Sequence, residues 1–335
     1  MKDRTWWLVA DIGGTNARFW AVSPGSIEPV WQGYYLVSEY PEFGDVLTHA
    51  LQDVAVALQD VAVALDDVVP PEKVCFAVAC PTNLDRFVFT NSHWNFSMGE
   101  VVDKTGCQLV SVINDFGSVA RAVMNLEASD LTAIGDGQIS REHPKVVLGA
   151  GTGLGVAGLV PSASGFSVIE SEGGHADYAP VGDLQVEVKR KLRSQFNRVC
   201  IERVLSGPGL INVSNALAAI KHQSPRFATP ADIVAAALSD QDELARDVLE
   251  FFCDVAGAVA GNLALTFGAK GGVYIVGGVI PRFSDFFIKS GFRSAFEDKG
   301  RFRDYLTNIP VFLVQRQDLG LIGAVSYLKA EGQSS

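Results

Sequence analysis

The chain has 335 residues, enough for about two domains at roughly 150 residues each. Hydrophobic residues make up 48% and charged residues 19%, which excludes a disordered chain. With 27 Lys and Arg against 38 Asp and Glu, the net charge of −11 argues against nucleic acid or an anionic membrane as the main partner, and a phosphorylated ligand must then be held by backbone N–H groups, a metal or a local arrangement.

The run at 6–12 is continuously apolar and meets a glycine turn, which predicts a buried strand. Strands at 18–22 and 30–37 follow as an antiparallel meander. A helix is predicted over 41–65, containing a tandem duplication, LQDVAVA at 51–57 and again at 58–64. Seven added residues are almost two whole turns, so the apolar face stays nearly in phase. The duplication reads as a lengthened surface helix, because a coiled coil needs three or four heptads. Strands are predicted at 74–79, 86–90 and 109–113, with a helix at 116–126. Two strands at 145–149 and 155–160 share a glycine-rich turn, and 166–171 is a third. From 183 to 267 the pattern is helical, punctuated by Gly207-Pro208-Gly209 and Thr229-Pro230. A strand at 272–276 runs into Gly277-Gly278, and Pro281 opens a further helical region. A strand at 309–314 and a helix at 319–329 complete the pattern. The strand, glycine turn and strand near residue 12 recur near residue 151, which predicts two α/β halves facing each other across a cleft.

Five cysteines are scattered without a CxxC pair, so neither a zinc site nor a disulfide framework is expected. Cys75, Cys80 and Cys253 read as small core hydrophobes. The apolar run at the N-terminus meets Asp11 too soon for a signal sequence, and the uncharged stretch 146–169 carries six glycines, so it reads as strands and turns and not as a membrane span. The expected setting is the reducing cytoplasm.

Several stretches carry chemistry. In DIGGTNAR at 11–18, Gly13 and Gly14 allow close backbone approach to an anion, Thr15 adds a hydroxyl, and Asp11 suits a hydrated Mg²⁺; a plain hairpin turn is the alternative. LGAGTGLG at 148–155 is neither a P-loop nor a complete GxGxxG, because Leu154 stands at the last glycine; a turn of N–H donors cradling phosphate remains. That failed fingerprint, with a strand after it, also argues against an NAD-dependent dehydrogenase. Asn114 and Asp115 end an apolar strand, where Asp115 can serve as a general base and Asn114 can orient a hydroxyl; helix capping is the alternative. ESEGGHAD at 170–177 can read sugar hydroxyls or be a solvated loop. Glu202, in ERVLSGPG, is a ligand carboxylate or an ordinary surface Glu on a turn with a hard stop. Gly277 and Gly278 let a flat ligand such as adenine lie against the backbone, or simply ease a strand-to-helix turn.

In this order, the motifs resemble the superfamily of sugar kinases, actin and heat-shock ATPases. ACP at 79–81, TNSHWNF at 90–96, INDF at 113–116, GAGTGLG at 149–155, EGGHADYAP at 172–180, ERVLSGPGL at 202–210 and GFRSAFEDKGRF at 291–302 narrow the resemblance to the bacterial-type glucokinase family, over almost the whole chain. The resemblance implies a two-domain, actin-like (ribonuclease H-like) α/β ATPase fold with a ligand cleft, divided as 1–125 plus 317–335 and 126–316. It implies ATP-dependent phosphorylation of the glucose 6-hydroxyl, the entry step of glycolysis, with Mg²⁺. Carried over residue by residue, Asp115 is the base, and Asn114, Glu172, His175 and Glu202 hold sugar hydroxyls with it. Gly13, Gly14, Thr15 and Asn16, with Gly151, Thr152 and Gly153, meet the phosphates; Asp11 helps to place Mg²⁺, and Gly277 and Gly278 border the nucleotide. The family also suggests a homodimer. Ser171, where Gly is expected, and Thr82, where an apolar residue is common, depart from the pattern. The sequence carries no Cys-rich zinc motif of the related repressor family, and its DNA-binding extension is not expected here. A kinase for another hexose or an amino sugar, and a non-catalytic sugar sensor, are the rival readings.

Overall fold

A computed structural model describes residues 5–59, 69–89, 91–163, 165–239 and 241–331. They form two compact units, one from the described residues up to Leu126 together with those from Arg316 onward, the other from Glu127–Gln315.

The first unit is built on β1 (Trp7–Ile12), β2 (Asn16–Val22), β3 (Pro29–Leu36), α1 (Phe43–Gln59), β4 (Lys73–Val78), β5 (Arg86–Val88), β6 (Asn95–Ser97), α2 (Met98–Thr105), β7 (Val110–Asn114), α3 (Asp115–Ala122) and a C-terminal helix (Leu319–Glu331). Its main sheet runs β3-β2-β1-β4-β7. The meander β1–β2–β3 is antiparallel, and β4 and β7 join β1 in parallel. Both faces of the sheet are covered, which is why β1 reads as one unbroken apolar run and not as an alternation. Leu8, Ala10 and Ile12 point to one face, in the cluster of Phe19, Phe43, Phe76, Trp94 and Phe96. Trp7 and Val9 point to the other, with Trp20 and Cys75, against Leu321, Ile322, Val325 and Leu328 of the C-terminal helix. That helix meets α3 so closely that a Cβ at Gly323 would lie 1.7 Å from the carbonyl oxygen of Ser118. Half of the repeat, the second LQDVAVA, lies mostly outside the described residues.

The second unit contains β8 (Leu131–Ala133), β9 (Lys145–Ala150), β10 (Leu154–Ser162), β11 (Gly165–Ser171), α4 (Gly182–Phe196), α5 (Gly207–Ile220), α6 (Pro230–Leu238), α7 (Glu243–Phe267), β12 (Val273–Val276), α8 (Ser284–Lys289), α9 (Phe292–Glu297), α10 (Arg303–Thr307) and β13 (Val311–Val314). The sheet order is β11-β10-β9-β12-β13-β8. The β9–β10–β11 meander is antiparallel, and β12 lies parallel between β9 and β13. Helix α7 is long and apolar enough to cross a membrane, but most of its apolar length is buried within this unit, where Val248, Phe252, Val255 and Ala260 join the core. Gly257 and Gly261 let it approach α9, since a Cβ at either would lie 2.1 or 2.5 Å from the carbonyl oxygens of Phe292 and Phe296.

Gly207-Pro208-Gly209 is not the stop expected from its composition. It is the first turn of α5, with the Ser206 hydroxyl accepting from Gly209 N. Proline is harmless there because the first-turn N–H groups have no helical acceptor anyway. The helix at 116–126 ends as an α-helix at Ala122 and continues as a 3₁₀ turn, Val123–Asn125.

Candidate active site

In the first unit, the turn after β1 is held by Gly13 N donating to Asn16 O (2.9 Å) and Val37 N donating to Thr15 O (2.9 Å). The amides of Gly14 and Thr15 have no acceptor among the described residues, as an anion cradle requires. A Cβ at Gly14 would lie 2.6 Å from Asn91 O, so the turn needs glycine for a close backbone approach. Asn16 already belongs to β2, and its Oδ1 accepts from the Tyr34 hydroxyl at 2.5 Å.

Asp11 faces Arg18 across the β1–β2 ladder. Arg18 in turn pairs with Asp318 at 3.0 Å, just before the C-terminal helix. Burial pushes the Asp11 carboxyl above its ordinary range; the Arg18 charge opposes this and the Asp318 charge reinforces it. The folded chain therefore holds the Asp11 proton more tightly than the unfolded chain does. Stability falls as pH rises through that window and stays lower above it. Asp11→Asn is expected to raise the Tm at neutral pH, by about 2–4 °C for each kcal/mol relieved. A melting curve checks this; a lower Tm would mean that Asp11 supports the fold in its charged form.

Asn114 ends β7 and caps α3, its Oδ1 accepting from Gly117 N at 2.8 Å. Capping uses the carbonyl of this side chain and leaves the amide NH₂ to donate elsewhere. Asp115 is the first residue of α3, and one carboxylate oxygen accepts from Phe116 N at 2.8 Å. It is partly exposed at the carboxyl end of the parallel strands, where ligand groups gather in open α/β sheets. The thiol of Cys80, after β4, is pushed up to about 11 by burial, with a contribution from the Asp115 charge.

In the second unit three predicted side chains come together. His175 Nε2 lies 3.9 Å from Glu172 Oε2, and its Nδ1 lies 4.0 Å from Glu202 Oε1. The other oxygen of Glu202 accepts from Leu154 N at 2.9 Å, so this carboxylate is tied to the glycine turn between β9 and β10. The same residue meets the histidine loop from its other side, because a Cβ at Gly174 would lie 2.2 Å from Leu154 O. The turn closes through Gly151 N to Gly153 O (2.8 Å), and Gly207 N at the start of α5 donates to Gly151 O (2.8 Å). The amides of Thr152 and Gly153 have no acceptor among the described residues. Gly277 has φ +96°, and a Cβ there would lie 2.4 Å from Ala150 O, which places the Gly277-Gly278 pair against the same turn. Ser171 shapes the loop: its hydroxyl donates to Val156 O (2.8 Å) and accepts from Gly173 N (3.3 Å).

Sequence reasoning missed Arg18 as the charge facing Asp11, Asp318 as its partner, and Leu154 as the backbone hinge-point of Glu202 and Gly174. The position of Arg18 was signalled, since a tight hairpin pairs 11 with 18; the distant Asp318 was not.

Comparisons with known proteins agree on one family. The family model described as Glucokinase matches residues 8–331. The glucokinase of Marinobacter nauticus is 41% identical over 321 residues, covering 96% of both chains. That of Hahella chejuensis is 39% identical over 322 residues, again 96% of both chains. A crystal structure of a glucokinase from an Antarctic psychrotroph superposes with a TM-score of 0.86 at 33% identity, covering 97% of this chain and 99% of that one. With its actin-like sugar-kinase fold and a match over nearly its whole length, the chain belongs to the glucokinase family.

Proposed function

We propose the following division of labour for the glucokinase reaction of this chain, the ATP-dependent phosphorylation of glucose at its 6-hydroxyl. Asp115 accepts the proton of that hydroxyl as it attacks the γ-phosphorus. Asn114, beside it, donates its free amide to a sugar oxygen. Glu172, His175 and Glu202 hold the remaining hydroxyls, carboxylates accepting and the imidazole donating. The turns at Gly13–Asn16 and Gly151–Gly153 present unpaired amides to the phosphates, so an acidic chain can hold a polyanion without a basic surface. Gly277 and Gly278 border the nucleotide.

The donor set fits Mg²⁺ arriving with the phosphates. Asp11 and Asp318 are the one or two carboxylates such an ion takes, and no group of three His, Cys, Asp or Glu among the described residues gathers to hold a metal unaided. Bound there, Mg²⁺ would neutralise charge on the phosphate oxygens, and Asp11 would hold it through a water of its hydration shell.

The observation that carries this reading is the tie between Glu202 and Leu154 N, which hangs a hydroxyl-reading cluster on a turn of unpaired amides. The test is turnover with ATP and Mg²⁺ across glucose, mannose, fructose, N-acetylglucosamine and 2-deoxyglucose. Glucose far above the rest is expected. Preference for another sugar would overturn the assignment of the cluster to glucose, and binding without turnover would make the chain a sensor. A cytoplasmic homodimer completes the reading, supported by the family alone; sedimentation would expose a monomer.

A further inference from the structure

His175 sits between two carboxylates that pull its ring proton in opposite directions. Glu172 faces Nε2 at 3.9 Å and Glu202 faces Nδ1 at 4.0 Å. Each would favour the tautomer that places N–H on its own side. Distance does not choose between them. The two acids are not equally free, however, since Glu202 is already engaged by Leu154 N.

A third group breaks the balance. The thiol of Cys200 lies 4.0 Å from His175 Nδ1, a long contact but within the reach of sulfur. Its place is set by backbone: Cys200 forms an antiparallel bridge with Asp177, and Ile201 N donates to Ala176 O at 2.9 Å. Cys75, Cys80, Cys107 and Cys253 are buried; Cys200 is the partly exposed one.

We propose that Cys200 is a positioning residue for His175: its S–H donates to Nδ1, so the neutral ring carries its proton on Nε2, on the Glu172 side. The inference rests on the reading above for its effect on sugar, because Nε2–H is then the atom offered to a hydroxyl. The tautomer itself is independent of that reading. No sequence motif signals this role, because the thiol and the imidazole are 25 positions apart.

The test uses the whole protein with ¹⁵N-labelled histidine, at a pH where the ring is neutral. The chain has five histidines, and His175→Ala assigns the signal of His175 by its loss. Long-range ¹H–¹⁵N correlation is expected to show Nε2–H in the native protein. Cys200→Ala is expected to move the signal toward a mixture with Nδ1–H, and Cys200→Ser to restore the native pattern at least in part. Capping the thiol with iodoacetamide removes the same donor from protein already folded. The other four thiols are buried and their ionisation is suppressed, so Cys200 should be the site that reacts. An unchanged tautomer in both the alanine variant and the capped protein would overturn the proposal.

Kinetics then separate the two layers. Cys200→Ala is expected to raise the glucose KM by about three- to ten-fold with little change in kcat, the size of one weak hydrogen bond. In a His175→Ala background the same change should have no effect. If His175→Ala itself leaves the glucose KM untouched, the sugar role of His175 fails, while the tautomer result still decides the role of Cys200.

Discussion

Asp115→Asn is expected to lower kcat by about 10²–10⁴-fold while glucose binding is largely kept. The substitution is well posed because the contact that places the residue survives. Phe116 N donates to a side-chain oxygen of Asp115 at 2.8 Å, and an asparagine oxygen can accept the same bond. The helix start is also held independently, by the cap from Asn114 to Gly117 N. What is lost is the basicity needed to take a proton. Single-turnover rates with ATP, and glucose affinity by calorimetry, separate the two effects. A near-native rate would remove Asp115 from the role of base. A lost glucose affinity with a normal rate at saturation would make it a binding group only.

Gly174→Ala should produce the second large effect, and it should fall on both substrates. The added Cβ would lie 2.2 Å from Leu154 O and 3.0 Å from Leu154 Cβ. A backbone oxygen at the start of β10 has no flexible tail to swing aside, so loop or turn must shift. Overpacking of this kind costs about 1–3 kcal/mol of stability. Because Leu154 N also anchors Glu202, the shift reaches the carboxylate as well. The expected result is a rise of about ten-fold or more in KM for both glucose and ATP, a size set by displacements of about an ångström in positioned groups. Gly151→Ala is the control. A Cβ at Gly151 has nothing within 4 Å, so the fold should be indifferent and only the ATP KM should move. A glucose-only effect of Gly174→Ala would mean that loop and turn shift separately.

Much of the architecture is legible in the residues because its signals are local. Buried parallel strands such as β4 are short apolar runs, and glycine pairs mark the ends of β1 and β12. The elements that escaped are those whose stability is tertiary. Strand β8 has three residues and exists because Leu131–Ala133 pairs with β13. Strand β6 is equally short, and α2 has only eight residues, with Gly99 in its first turn. Local cues for α2 were present at both ends, the capping box of Ser97 and Glu100 and the left-handed Gly106 that closes the helix. Gly207-Pro208-Gly209 misled because the same residues break a helix interior and tolerate a helix start; Ser206 just before them was the deciding signal. For the site, each motif could be noticed from its own residues. That Glu172, His175 and Glu202 are neighbours could not, because spacing along the chain does not report the bridge between Asp177 and Cys200 that folds the two stretches together.

The C-terminal helix has a consequence for biosynthesis. Leu321, Ile322, Val325 and Leu328 cover the face of the first sheet that carries Trp7, Val9 and Trp20. Those three precede the whole second unit along the chain, and their cover follows it. The apolar cluster of the second unit, by contrast, draws all its members from between Ile134 and Leu313. Domains generally fold as units during synthesis, in the order in which they become complete. Here the second unit is complete before the helix that covers the first sheet is made, and two tryptophans stay uncovered until that helix emerges.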